Sequence, residues 1–114
     1  MDISKWYEEV GMAVTICDTQ GIVLYMNQKA KATFMKDGDL VGKSLLDCHP
    51  EPARSILISL LETQQANTYT IEKNGIKKII QQKPWYTQGV FSGLVEMSSE
   101  IPFDMPHSIR KPGN

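Results

Sequence analysis

Cysteine is scarce in this chain: Cys17 and Cys48 are the two in 114 residues. Two are too few for a disulfide framework, and a chain of this length can bury a core without one, so reduced thiols in a cytoplasm are expected. Charge of one sign is lacking as well. Twelve Lys and Arg against thirteen Asp and Glu leave a formal net charge of −1. No field therefore concentrates a polyanion, which argues against nucleic acid or an acidic membrane surface as a partner. No apolar run approaches the roughly 20 residues of a membrane span, and Met1–Glu9 has neither the basic nor the apolar region of an export signal. Repeats and low-complexity segments are missing too. A metal site would want several ligands at short spacings. Beyond the adjacent Cys48 and His49 the chain offers only Cys17 and a distant His107, so no metal is expected.

What is present is an ordinary globular composition, 41% hydrophobic and 22% charged, enough for one domain with its own core. Three parts are expected: an N-terminal amphipathic helix at 1–10, a domain at 11–101 and an extended, proline-containing tail at 102–114. Ile3, Trp6, Tyr7 and Val10 recur at helical spacing, with Asp2 or Ser4 as a cap. Residues 12–17 and 22–26 are apolar runs around Asp18-Thr19-Gln20-Gly21, where Asp bonds nearby backbone and Gly takes positive φ, so they predict an antiparallel hairpin.

Asn27 is placed to cap a helix with Ala30, Phe34 and Met35 facing inward, broken at Asp37-Gly38-Asp39. Pro50-Glu51-Pro52 then opens a longer helix striped by Ala53, Ile56, Leu57, Leu60 and Leu61. From Asn67 the period changes to two. Asn74-Gly75 predicts a tight turn between two strands, because both its central positions need positive φ. A break at Thr87-Gln88-Gly89 precedes a last run from Val90 to Ile101. Five strands result, the last three as a meander, which makes the fold class α+β. Lys73, Lys77, Lys78 and Lys83 read as the solvated side of that meander, and Trp85 and Tyr86 as packing aromatics.

The order of these marks over residues 11 to 101 resembles a PAS sensory domain of the small bacterial type. They are Asp18-x-x-Gly21, Asn27, Gly42-Lys43, the helix from Glu51 to Gln64, and Gly93 with Glu100-Ile101. The resemblance implies a five-stranded antiparallel sheet of order 2-1-5-4-3, with helices over one face enclosing a pocket. It further implies a non-catalytic signalling module that binds a small ligand or dimerises. Strand alternation then directs Phe91, Gly93, Val95 and Met97 of the last strand into the pocket, with Thr15 and Cys17. Phe34, Leu57, Tyr69 and Gln81 complete the pocket candidates. Leu94, Val14 and Ile16 fall on the outer face, where Ile3, Trp6, Tyr7 and Val10 would cover them and form a homodimer interface.

Ligand identity stays open. The flavin-adduct cysteine of light-sensing relatives is absent, its matching position after Gly42-Lys43-Ser44 being Leu45. Haem is disfavoured, with His49 the one weak ligand candidate. Because Ile101-Pro102 interrupts any continuing helix, the signalling partner is expected on another chain or on a larger protein of which this is a piece. Two alternatives stand beside this reading. One is a small enzyme with Cys48 or Cys17 as nucleophile and His49 as base; the other is a fully packed dimerisation module that binds nothing.

Overall fold

A computed structural model describes residues 1–33 and 39–113. The expected positions of Phe34, Met35 and the Asp37-Gly38 break lie outside the described residues. Five strands form one antiparallel sheet: β1 (Ala13–Cys17), β2 (Val23–Met26), β3 (Asn67–Lys73), β4 (Ile76–Thr87) and β5 (Val90–Ile101). Their spatial order is β2-β1-β5-β4-β3, as expected. Two helices, α1 (Gln28–Thr33) and α2 (Ala53–Thr63), lie between β2 and β3 in the chain, with a 3-10 turn at Leu45–Cys48.

Turn chemistry fixes the hairpins. Asp18 accepts hydrogen bonds from the amides of Gln20 and Ile22 at 2.9 and 3.0 Å, closing β1 onto β2. Asn74 and Gly75 have φ of 54° and 77°, and Gln88 and Gly89 have φ of 49° and 81°. Both two-residue turns have the paired positive φ whose twist matches that of the flanking strands. At the start of α2 the Glu51 carboxylate accepts from the amide and hydroxyl of Ser55, an anionic cap where the helix dipole is positive. The core lies between the sheet and α2, where Cys17, Val23, Met26, Leu45, Leu57, Leu60 and Leu94 pack together with Ala30 and Leu40.

Register corrects the expected faces of two strands. Residues directly opposite in an antiparallel ladder share a face. Ala13, Thr15 and Cys17 stand opposite Ser98, Glu96 and Leu94, and those in turn opposite Ile80, Gln82 and Pro84. Leu94 is therefore a core residue, 2% exposed, rather than part of an outer interface. Val95 lies opposite Ile16, and Met97 opposite Val14, on the outer face. Gln81 is also outside, since it pairs with Met97, and Gln82 takes the inner place. A one-residue offset reverses every face of a strand, and the irregular pairings at Ile16/Cys17 and Trp85/Tyr86 are what periodicity does not locate.

The N-terminal segment is also corrected. Only Ile3–Lys5 is helical, as a 3-10 turn, and Ile3 and Trp6 are exposed. An isolated helix of ten residues bears the full cost of nucleation. Here tertiary partners take its backbone acceptors instead: the Tyr7 carbonyl accepts from Asn27 Nδ2 at 2.7 Å, and the Glu8 carbonyl from the Gln28 amide at 3.1 Å. Tyr7 meets Tyr25 edge-on at 5.3 Å, and Tyr25 shares the outer face with its ladder partner Ile16. Among the described residues no helix is long and apolar enough to cross a membrane. From Pro102 to Gly113 the tail is exposed and carries no helix or strand.

Candidate functional site

The inner face of the sheet is not evenly filled. Over β1 and β2 the apolar side chains close against α1, α2 and the Leu45 turn. Over β3 and β4 the cover is thinner, and an open cleft of about 340 Å³ is lined by Pro52, Ala53, Ile56, Asn67, Tyr69 and Gln82. A second cavity of about 190 Å³ continues along the sheet between Ala13, Thr15, Thr33, Ile71, Lys78, Ile80, Glu96 and Ser98. Tyr69 borders both.

Polar groups are concentrated where the two cavities meet. Gln82, 3% exposed, accepts from Asn67 Nδ2 at 3.0 Å through Oε1 and points Nε2 at Glu96 Oε2, 3.5 Å away. The same carboxylate oxygen is 4.0 Å from His49 Nε2, both side chains being mostly buried. His49 Nδ1 is 2.8 Å from the Leu45 carbonyl, and a carbonyl only accepts, so Nδ1 carries a proton. Burial, and after it the Glu96 charge, push the Tyr69 hydroxyl up from its ordinary value, which keeps it an O–H group. The arrangement is a carboxylate flanked by an amide, an imidazole and a phenol beside a largely apolar cleft.

This site unites some of the residues expected to meet and separates others. Thr15 and Tyr69 border the cavities; Cys17 and Leu57 are packed in the core beneath them. Gln81 and Val95 lie on the other face. Phe91 packs edge-on to Tyr86 at 6.2 Å, at the far end of the β4–β5 hairpin. Gly93 serves the backbone. At φ +138° it lets β5 press against β1, and a Cβ there would overlap the Cys17 carbonyl. Phe34 lies outside the described residues. Of the outer candidates, Val14 is buried and Ile16, Tyr7 and Val10 half-buried. Sequence alternation leaves Asn67 and Gln82 out of the pocket and directs Glu96 outward with Leu94, although each is a polar residue in register with the apolar inner row, a signal legible only once the register is known.

Asn27, the expected helix cap, does more. Its Oδ1 accepts from the amides of Ala30 and Val14, each at 3.0 Å, while Nδ2 donates to the carbonyls of Tyr7 and Met12. One side chain, 1% exposed, thus joins the N-terminal segment, β1 and α1.

Cys17 is a buried thiol. Burial pushes the Cys17 thiol up, with Asp18 and Glu96 adding to it and a hydrogen bond at Leu94 opposing. The Cys48 Sγ is 3.6 Å from the Ser44 carbonyl, and His49 Nδ1 is 2.8 Å from the Leu45 carbonyl. Among the described residues no group of three or more His, Cys, Asp or Glu side chains could hold a metal ion.

Comparison with known proteins bears on this geometry. The family model described as the PAS fold matches residues 7–70. No curated protein sequence matches the chain. Among solved structures, the PAS domain of histidine kinase ThkA superposes with a TM-score of 0.63 at 18% identity, covering 77% of this chain and 97% of that one. The PAS domain of Bordetella pertussis BvgS gives 0.64 at 16% identity, covering 85% and 82%. The Aer2 receptor of Vibrio cholerae, described as a dual PAS-heme oxygen sensor, gives 0.56 at 20% identity, covering 80% and 95%.

Proposed function

The chain belongs to the PAS fold family, and from that premise we propose that it is a non-catalytic sensory domain whose stimulus is a small molecule held in the cleft between α2 and β3–β4. The observation that carries this reading is the cleft itself. About 340 Å³ walled by Pro52, Ala53 and Ile56, with Asn67, Gln82 and Tyr69 supplying a few polar groups, has the size and composition of small-molecule sites. Binding would bias how α2 packs on the sheet, and a ligand shifts an equilibrium only by its differential affinity for the two packings. The raised, buried Cys17 thiol supports a non-catalytic role, since the thiolate is the nucleophile. Two thiols outside any disulfide suit a reducing, cytoplasmic compartment.

Native mass spectrometry of the freshly purified protein tests this reading. The expected result is an added small mass that is lost in Ile56→Trp, which fills the cleft from α2. A chain of bare mass, with Ile56→Trp indistinguishable from it, would sink the proposal.

Homodimerisation through the outer face is the companion proposal. Ile3 and Trp6 are 76% and 64% exposed, and Ile16, Val95 and Met97 share the outer face of the sheet. The solution mass before and after deletion of residues 1–10 decides it: a dimer that becomes monomeric is expected, and a monomer in both cases rules it out.

A further inference from the structure

We propose that residues 103–109 of one copy of this chain add as a further strand, parallel to β3, along the open edge of a second copy. This edge is distinct from the outer face of the sheet, and its pairing requires no ligand.

The tail carries no strand in its own molecule, yet it has a strand's pattern. Phe103, Met105 and Ile109 are exposed apolar residues at odd positions, and Asp104, Ser108 and Arg110 fall at even positions between or beside them. In an extended chain those two sets occupy opposite faces. Pro102, Pro106 and Pro112 are all at even positions. Successive N–H groups point to alternate edges of a strand, so the prolines share one edge and the amides of Phe103, Met105, His107 and Ile109 line the other. Proline is admitted to a strand only where its nitrogen faces away from the ladder.

The open edge of β3 is the matching half. β3 ends the sheet, so one of its edges has no neighbouring strand among the described residues. The two-residue turn at Asn74 and Gly75 closes on the hydrogen-bonded pair of Lys73 and Ile76, and bonded pairs alternate from there. Thr68, Thr70 and Glu72 therefore turn their N–H and C=O groups to the open edge. On the inner face beside that edge Tyr69, Ile71 and Ile76 are exposed. A third cavity, of about 190 Å³, lies between Ile71, Lys73, Asn74, Ile76 and Lys78. It shares Ile71 and Lys78 with the second cavity, which shares Tyr69 with the cleft, so one groove follows the length of β3.

Strand direction follows from the faces. In an antiparallel pair the odd tail residues would stand directly opposite Thr68, Thr70 and Glu72 and share their outer face. In a parallel pair, residues bonded to Thr68, Thr70 and Glu72 lie beside the intervening Tyr69 and Ile71, so Phe103, Met105 and Ile109 enter the groove. Setting residues 103–109 beside the seven of β3 places Met105 next to Tyr69 and Arg110 one pleat past Glu72, which carries the opposite charge. Direction also decides whose tail it is. Ile101 pairs with Lys77, and Lys77 with Glu72, so the tail leaves β5 level with the far end of β3. A parallel strand has to begin beside Asn67, about 17 Å back along the sheet. Pro102 alone intervenes before Phe103, and a residue spans at most about 3.6 Å. The occupant is therefore a second copy.

The test is amide hydrogen exchange of the full chain, followed by NMR at low and high protein concentration, with two tail variants. His107→Pro removes an amide from the pairing edge, and Ser108→Pro removes one from the edge that already holds the prolines. The Thr68, Thr70 and Glu72 amides should exchange about ten-fold more slowly at high concentration in the unmodified chain and in Ser108→Pro, but at one rate in His107→Pro. Both substitutions lie in the exposed tail, so the spectrum of the domain should be unchanged. For direction, a peptide of residues 102–112 with a nitroxide at its N-terminus is added to the His107→Pro chain, and broadening is expected at Asn67 and Thr68. Exchange that ignores concentration, or two variants that behave alike, overturns the proposal. So does a dimer whose edge amides stay fast, which forms through the outer face. Broadening at Glu72 and Lys73 overturns it as well, since that is the antiparallel arrangement a chain's own tail can reach.

Discussion

The two ends of the sheet differ. Along β1 four of five residues are buried, whereas along β3 only Asn67 is even half-buried and the other six residues are exposed. Both strands contain residues suited to pleated packing, so propensity does not separate them. What separates them is cover. The β1–β2 end is enclosed on the inside by the leucine-rich core and on the outside by the Tyr7–Tyr25 contact, with Asn27 joining the layers. The β3–β4 end keeps one side of its inner face open to the cleft. A closed end beside an open one suits the proposed sensing role, in which a ligand in the cleft would bias the packing of α2 on the sheet.

The strongest way to break this contrast is Gly93→Ala, at the seam where β5 presses on β1. An alanine there needs φ +138° and places its Cβ inside the Cys17 carbonyl, so backbone must shift. The expected loss is about 4 kcal/mol or more, enough to leave the chain largely unfolded at 25 °C, read by urea denaturation. A well-folded Gly93→Ala protein would mean that the seam is softer than its geometry.

Next comes a paired truncation. Asn27→Ala strips hydrogen-bond partners from the amides of Val14 and Ala30 and the carbonyls of Tyr7 and Met12, and should cost about 3 kcal/mol. Asn67→Ala removes a single bond to Gln82 at the open end and should cost about 1 kcal/mol. Equal losses would erase the distinction between the two ends.

The smallest effect sharpens the account of the outer cover. Burial, reinforced by its hydrogen bond to Glu8 at 2.9 Å, pushes the Tyr25 hydroxyl up to about 12. The folded state therefore holds this proton more tightly than the unfolded chain does. Its contribution is complete below about pH 10 and is lost as pH rises through about 12. Tyr25→Phe should lower stability by about 0.5–1 kcal/mol at neutral pH and flatten the decline between pH 10 and 12, followed by denaturation at each pH.

Much of the fold was legible in the chain because its signals are local. Asp18-x-x-Gly21 and Asn74-Gly75 require particular backbone angles, and the stripe of Leu57 and Leu60 has a helix's own period. The site was less legible. Gln81 and Gln82 are the same residue type side by side, and nothing within either strand says which one faces α2. The exchange of Val95 for Glu96 has the same cause, since alternation gives two faces without saying which is the inner one. The expected helix at 1–10 failed for the complementary reason: its spacing was right, but it is too short to pay for its own nucleation, and Asn27 and Gln28 offered its carbonyls better partners.

By itself the sequence determined the number and order of the strands, the turns between them, the order 2-1-5-4-3 through its resemblance to a family, and the balance of charge. These follow from backbone sterics and from periodicity, which act over a few residues at a time. Only the tertiary structure decided which face of β4 and β5 looks inward, how Asn27 joins three segments, and that Gln82, His49 and Tyr69 come together beside Glu96. Those outcomes depend on ladder register and on contacts between residues far apart in the chain, such as His49 and Glu96, where no local signal reaches.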